Sequence, residues 1–338
     1  MAGVSDQGLG AALSGPGGRT FREVDNWAQV PDGWSFCDVP GVSVGPDDRV
    51  YVLTRGNCPR SEDHPIIVFE PDGTFVRSFG EGLIMFAHAI AVGVDGLLYC
   101  VDVSGHRVRV FTPRGELVRT IAGSVSPSDT GYTTDFRTIL RGAGPFNQPT
   151  KMVSAANGDL FASDGYGNAR VHHFTPMGEL RASWGEPGDR PGAFNIPHSV
   201  LVLPDERILV CDRENNRIQV FDLDGRFLTE WPDLARPDDV CVDDAGNVYV
   251  AELGERAALF PFMPRPYRKD RPAGVSVLDL EGRLRTRWGD DSAGIQFAAP
   301  HGIAVDSHGN LYVVEVREAA GADRSEWRKA VRKLARLA

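Results

Sequence analysis

The chain has 338 residues, 38 of them Gly and 23 Pro, and a formal net charge of −10 with acids and bases interspersed. The lack of a basic stripe argues against nucleic acid as a partner, and the negative balance argues against anionic membrane surfaces. No apolar run approaches the roughly 18 residues of a spanning helix, and the first residues carry neither a basic nor an apolar leader region, so the expected setting is cytoplasmic.

Residues 1–18 are rich in Gly, Ala and Ser and read as a mobile tail, which leaves 19–338 as a single domain. Thr20–Val30 (TFREVDNWAQV) has strand-like composition and precedes a series of six related segments. These begin near Val39 (VPGVSVGPDDRVYVL), Phe86 (FAHAIAVGVDGLLYCVD), Gln148 (QPTKMVSAANGDLFASD), Ile196 (IPHSVLVLPDERILVCD), Arg236 (RPDDVCVDDAGNVYVAE) and Ala299 (APHGIAVDSHGNLYVVE). Each is an apolar strand, a turn and a second strand, continued by a third in stretches such as NRIQVFDLDGRFLTEW, where β-branched and aromatic residues alternate with polar ones. Six copies at a period of about 40 to 45 residues predict an all-β, six-bladed β-propeller with four short antiparallel strands per blade. The sixth copy ends in WRKAVRKLARLA, which supplies a third strand and no fourth, so the N-terminal strand is expected to complete that blade and close the ring.

Two insertions interrupt the period, Ser124–Pro145 and Glu255–Pro272, and loops of that length serve as lids, oligomer contacts or tolerated surface. The five cysteines show no CxxC spacing. Cys100, Cys211 and Cys241 occupy strand positions that suit a small apolar residue, and most of the five read as reduced thiols. Cys58, in TRGNCPR, stands beside a candidate site arginine.

His88, His198 and His301 fall at one repeat position in the second, fourth and sixth copies, whereas the other five of the eight histidines do not share it. In a closed ring of six, alternate units point at the axis about 120° apart, which makes a cup of three nitrogens. Three protein ligands with an open fourth position suit catalytic zinc, ahead of iron, manganese or copper. The odd copies carry Pro40, Thr150 and Asp238 there. Asp238 is open to four readings: a fourth ligand, a partner orienting a histidine, a base, or a solvated turn aspartate.

Together with DGYGNARV (from Asp164), PGAFNIPHSV (from Pro191) and CDRENNRIQVF (from Cys211), the triple-histidine pattern resembles the peptidyl-alpha-hydroxyglycine alpha-amidating lyases, six-bladed propellers of the NHL-repeat type. The resemblance implies a zinc lyase that splits a carbinolamide, N–CH(OH)–COO⁻, into a primary amide and glyoxylate. It implies that His88, His198 and His301 bind the zinc, that Tyr166 is the catalytic base, and that Arg213 and Arg55 are site arginines. These residue types suit the chemistry: the carbinolamide collapses when its hydroxyl loses a proton, a tyrosine beside a cation is a credible base, and a planar carboxylate is held best by a guanidinium fork. Arg217 matches the repeat arginines Arg107 and Arg170 and reads as structural. Of Arg213 and Arg217, one is expected to bridge blades through an aspartate such as Asp212.

Two departures qualify the resemblance. Gly302 stands where the family has an aspartate that helps hold a channel calcium, so calcium is doubtful and a Lys151 ammonium near Asp239 is expected to replace it. Gly167 replaces a family cysteine beside the tyrosine, which fits a reducing compartment. The expected role is therefore cleavage of a small-molecule N,O-acetal in a bacterial cytoplasm, with an oxygenase making the substrate upstream. A zinc-dependent hydrolase or hydratase using Asp238 as base, and a non-enzymatic interaction propeller, are the competing readings.

Overall fold

The structure, a computed structural model, describes residues 12–55, 64–122, 126–257, 271–289, 295–320 and 329–337. Cys58 and most of the second insertion lie outside the described residues. Six antiparallel sheets are arranged as blades, each running from an axial first strand outward in chain order. The axial strands are Gly41–Val44, Ala87–Val92, Pro149–Ser154, Pro197–Val202, Pro237–Val242 and Pro300–Val305, numbered here as blades one to six. Each packs against the axial strands of both neighbours, which closes the ring.

Second strands such as Leu98–Asp102, Ile208–Asp212 and Leu311–Glu315 are buried along their whole length, which is why they read as nearly continuous apolar runs. Outer strands such as Leu180–Trp184 are largely exposed. Among the described residues an apolar cluster fills each of the six seams between adjacent blades, such as Val101 and Val108 against Met152 and Leu160, or Tyr249 and Val275 against Ile303 and Val313. Each blade thus buries both faces only because it has two neighbours.

Blade six closes as expected: Val331–Leu337 pairs with Leu311–Glu315 on one side and with Thr20–Val24 on the other. The tail reading needs correction for residues 12–18. Ala12–Ser14 forms a fifth strand on Thr20–Val24, Leu13 is buried in the seam between blades five and six, and Trp288 Nε1 donates to the Ser14 carbonyl at 2.8 Å. An apolar residue at the right register, Leu13, is enough to tie down an otherwise small-residue segment. The described part of the first insertion, 126–145, forms no strand: it contains a 3₁₀ turn at Phe136–Thr138, and Thr130 Oγ1 donates to the Gly167 carbonyl at 2.6 Å.

Cys100, Cys211 and Cys241 are free and sit among core residues, but Cys37 is disulfide-bonded. The cysteines therefore give no support to a reducing compartment. Among the described residues no helix is long and apolar enough to cross a membrane.

Candidate metal centre

In blades two to six the axial strand begins with a β-bulge, and the extra residue is His88, Thr150, His198, Asp238 or His301. A bulge re-aims the side chain of its extra residue, which is how five strands of ordinary pleat turn these positions toward the axis. Each bulge is held by a buried acid at the end of the second strand. Asp102 accepts from Phe86 N at 3.0 Å, Asp164 from Asn147 N at 3.0 Å, Asp212 from Asn195 N at 2.7 Å, Glu252 from Ala235 N at 3.1 Å and Glu315 from Ala299 N at 3.1 Å. Of these five acids sequence reasoning marked Asp212 alone, as an arginine partner, although their recurrence at one repeat position is visible in the copies.

The three histidines converge, with ring centroids 4.7 to 4.8 Å apart and ligating atoms within 4.8 Å of one another. His88 Nδ1 lies 2.6 Å from the Thr150 carbonyl, His198 Nδ1 2.8 Å from that of Asp238, and His301 Nδ1 2.8 Å from that of Pro40. A carbonyl only accepts, so each Nδ1 carries the proton and each Nε2 presents a bare lone pair to the axis. Burial first, then neighbouring positive charge (Arg55 for His88, Arg213 for His198, His88 and Arg55 for His301), holds all three imidazoles well below the ordinary histidine range, in the neutral form that ligates.

Tyr166 Oη sits 2.9 Å from His88 Nε2 and 3.0 Å from His198 Nε2, while His301 Nε2 is buried with no hydrogen-bond partner among the described residues. Four basic atoms thus converge and share one proton. Such a cluster lacks a positive charge at its centre, and a metal cation supplies it. The donor set, three imidazoles with one side open toward Tyr166, fits zinc with a free coordination position.

Arg213 is fully buried, its guanidinium 5.6 Å from the Tyr166 ring centroid. Its Nε donates to Glu214 Oε1 at 3.0 Å, and the same oxygen takes two bonds from Arg236, at 3.1 and 2.8 Å. Neither Glu214 nor Arg236 was singled out from sequence; adjacency to Arg213 is the one signal for Glu214. Arg213 is also the residue that bridges blades, reaching Asp238 of blade five at 3.4 Å, whereas Arg217 stays within blade four on Asp212 at 2.8 Å. Burial pushes the Tyr166 phenol up, against the pull of Arg213 and Arg55.

Asp238 is no solvated turn residue: it is buried, with Oδ1 3.3 Å from His198 Nδ1. Its carboxylate thus lies on the Nδ1 side of the ring, away from the ligating nitrogen, which matches an orienting partner rather than a fourth ligand. Burial pushes its carboxyl up to about 7 against the opposing pull of Arg213 and Arg236.

Arg55 is buried at the entrance, donating from Nε to the Ala87 carbonyl at 3.0 Å and stacking 4.6 Å from the Phe86 ring. It borders a cavity of about 550 Å³ together with Phe86, Gln148, Tyr166, His301 and Glu318. Phe86, Gln148 and Glu318 had no mark in the sequence. On the far side of the cup, Lys151 Nζ donates to Asp239 Oδ1, which also accepts Ser199 Oγ at 2.7 Å, and Ile303 N donates to Oδ2 at 3.1 Å. A Cβ at Gly302 would meet Val314 Cγ2 at 2.8 Å, and one at Gly167 would meet Asn147 Oδ1 at 2.2 Å, so both glycines fill places where a neighbour would have to move.

The NHL repeat profile matches residues 194–221. The rat peptidylglycine alpha-amidating monooxygenase is 32% identical over 190 residues, 53% of this chain and 18% of that protein. The fruit-fly peptidyl-alpha-hydroxyglycine alpha-amidating lyase 1 is 28% identical over 268 residues, 74% of this chain and 47% of that protein. The chain therefore spans under half the length of either. A solved streptogramin B lyase superposes with a TM-score of 0.58 at 13% identity, covering 94% of this chain and 97% of that one, a likeness of fold alone.

Proposed function

Since the chain belongs to the NHL-repeat propeller family of the peptidyl-alpha-hydroxyglycine alpha-amidating lyases, we propose that it cleaves the C–N bond of a carbinolamide to an amide and glyoxylate or a related aldehyde. The observation that carries the proposal is the set of three Nε2 lone pairs facing Tyr166 Oη with one proton among them. His88, His198 and His301 hold a zinc ion through Nε2. Bound there, zinc supplies Lewis acidity that makes a hydroxyl a better acid.

Arg55, with Arg213 behind the tyrosine, holds the substrate carboxylate and orients the carbinol carbon over the cup. Against burial, Arg213 and Arg55 draw Tyr166 toward the phenolate, and as the phenolate its Oη takes the hydroxyl proton, the electron pair forms the aldehyde C=O as the C–N bond breaks, and the same oxygen returns the proton to the departing amide nitrogen. Glu214 keeps Arg213 aimed, and Asp238 orients His198. The position of Asp238 on the Nδ1 side favours this reaction over hydrolysis with Asp238 as base. The substrate is a small molecule, made by an upstream oxygenase that hydroxylates the carbon next to the amide nitrogen. Lys151, paired to Asp239, takes the place of a channel calcium, and stoichiometric calcium in the purified protein would overturn that part.

Metal content by plasma mass spectrometry, together with glyoxylate release from α-hydroxyhippurate, tests the proposal. One zinc per chain with glyoxylate released, both lost in His198→Ala, is the expected result. Zinc without glyoxylate from any carbinolamide would refute the lyase reaction, and failure to bind metal under any loading condition would refute the site.

A further inference from the structure

We propose that Glu318 forms a second recognition point in the cavity over the cup, selecting substrates whose acyl group ends in an ammonium; this rests on the carbinolamide reading of the same site. Glu318 lies just after the second strand of blade six. Its backbone N–H donates to Asp38 Oδ1 at 2.9 Å, and the Ala319 N–H reaches the same oxygen at 3.2 Å. The other Asp38 oxygen stands 3.8 Å from an Arg55 nitrogen. One carboxylate therefore ties the Glu318 backbone to the arginine assigned to the substrate carboxylate, fixing the distance between the two across the cavity.

The Glu318 side chain is treated differently from Asp38. Among the described residues its Oε2 is shielded from solvent and has no hydrogen-bond partner, although the residue borders the cavity. A shielded carboxylate oxygen without a donor is costly, and a ligand carrying the donor removes that cost on binding. Phe86, Val103 and Ala319 supply the apolar part of the wall that Arg55 and Glu318 share, and Asp38, Ser104 and Gln148 its polar part. Cation, apolar stretch and anion in one cavity of about 550 Å³ match a dipolar ligand. Its carboxylate meets Arg55, a short methylene chain lies over Phe86, and its ammonium meets Glu318. The substrate class is an N-(ω-aminoacyl)-α-hydroxyglycine.

Two unreactive glycine conjugates of nearly equal shape test this without turnover: N-(4-aminobutanoyl)glycine and N-pentanoylglycine, titrated calorimetrically into the protein with its metal content measured. The wild type is expected to bind the amino conjugate about 10-fold more tightly, a charge-assisted hydrogen bond's worth of preference. In Glu318→Gln the preference falls to within about 2-fold, and in Glu318→Lys it reverses in favour of N-(4-carboxybutanoyl)glycine. Thermal unfolding of both variants confirms that they fold. Equal affinity of the two conjugates in the wild type, no binding of the amino conjugate, or a preference that survives in Glu318→Gln overturns the proposal. Glyoxylate release reports separately on the reaction: turnover without charge preference keeps the lyase and removes the subsite, and preference without turnover does the reverse.

Discussion

Even and odd blades begin alike and end in different chemistry. From blade two to blade six the same bulge, backed by the same buried acid, turns one residue to the axis, yet blades two, four and six offer imidazoles and blade three a threonine, blade five an aspartate. What the odd blades contribute to the histidines is backbone: the carbonyls of Pro40, Thr150 and Asp238 each accept one Nδ1–H. A pseudo-sixfold fold thereby yields a threefold site, with alternate positions supplying ligands and the positions between them setting the tautomer. Side chains at even positions should matter for chemistry, and side chains at odd positions should matter little unless they touch a second partner.

His198→Ala should show the largest effect. It removes one of three ligands, so metal content should collapse and glyoxylate release should fall by at least about 10³-fold, while circular dichroism remains that of a β protein. Retention of stoichiometric zinc in this variant would break the comparison.

The next ring along the axis gives the second test, because there the pairing is between side chains. Asp239→Ala leaves the Lys151 ammonium buried without a carboxylate, at an expected cost of about 3–5 kcal/mol in chemical unfolding, and Lys151→Met in the same chain should recover part of it. If the double variant is no more stable than the single, Lys151 and Asp239 do not act as a pair.

Asp238 is the odd-blade side chain that does touch a second partner, lying beside both His198 and Arg213. Asp238→Asn should weaken zinc binding by about 10–100-fold in a chelator competition, the range for a partner of a ligating histidine. The smallest effect belongs to Thr150→Val, which keeps the carbonyl that faces His88 and removes hydroxyl contacts to Ser163 and to the Pro197 carbonyl at 2.8 Å. It should cost about 1 kcal/mol of stability and leave metal content unchanged. A large loss of zinc here would mean that odd-blade side chains do more than carry a carbonyl.

Much of this was legible in the chain. The six copies and the place of each axial strand follow from periodicity, and the alternation of histidine follows from comparing the copies at one position. Arg217 was read as structural because it recurs, and it does hold Asp212 within its blade. Asp238 was not decidable from RPDD, since a turn aspartate next to a proline looks solvated until the neighbouring blade covers it. Leu13 was lost in a Gly- and Ser-rich stretch because one apolar residue has no period. Cys37 resembled a core thiol because a disulfide depends on where another loop arrives. Glu214 and Glu318 lie between strands, where no repeat constrains the residue, and Arg236 opens the fifth copy with a residue the other copies do not share, so only the facing element gives each a partner.

The sequence by itself determined the repeat, the ring that the repeat must close, and which three units carry imidazoles, because hydrophobic period and residue identity are properties of short stretches. Only the tertiary structure decided that each Nδ1 meets a carbonyl and that Glu318 and Arg55 border one cavity, whereas the Lys151–Asp239 pair, 88 positions apart in the chain, was expected from the departure at Gly302 and is present. Those contacts join different blades, and what a side chain can do chemically there is set by the groups that ring closure brings against it.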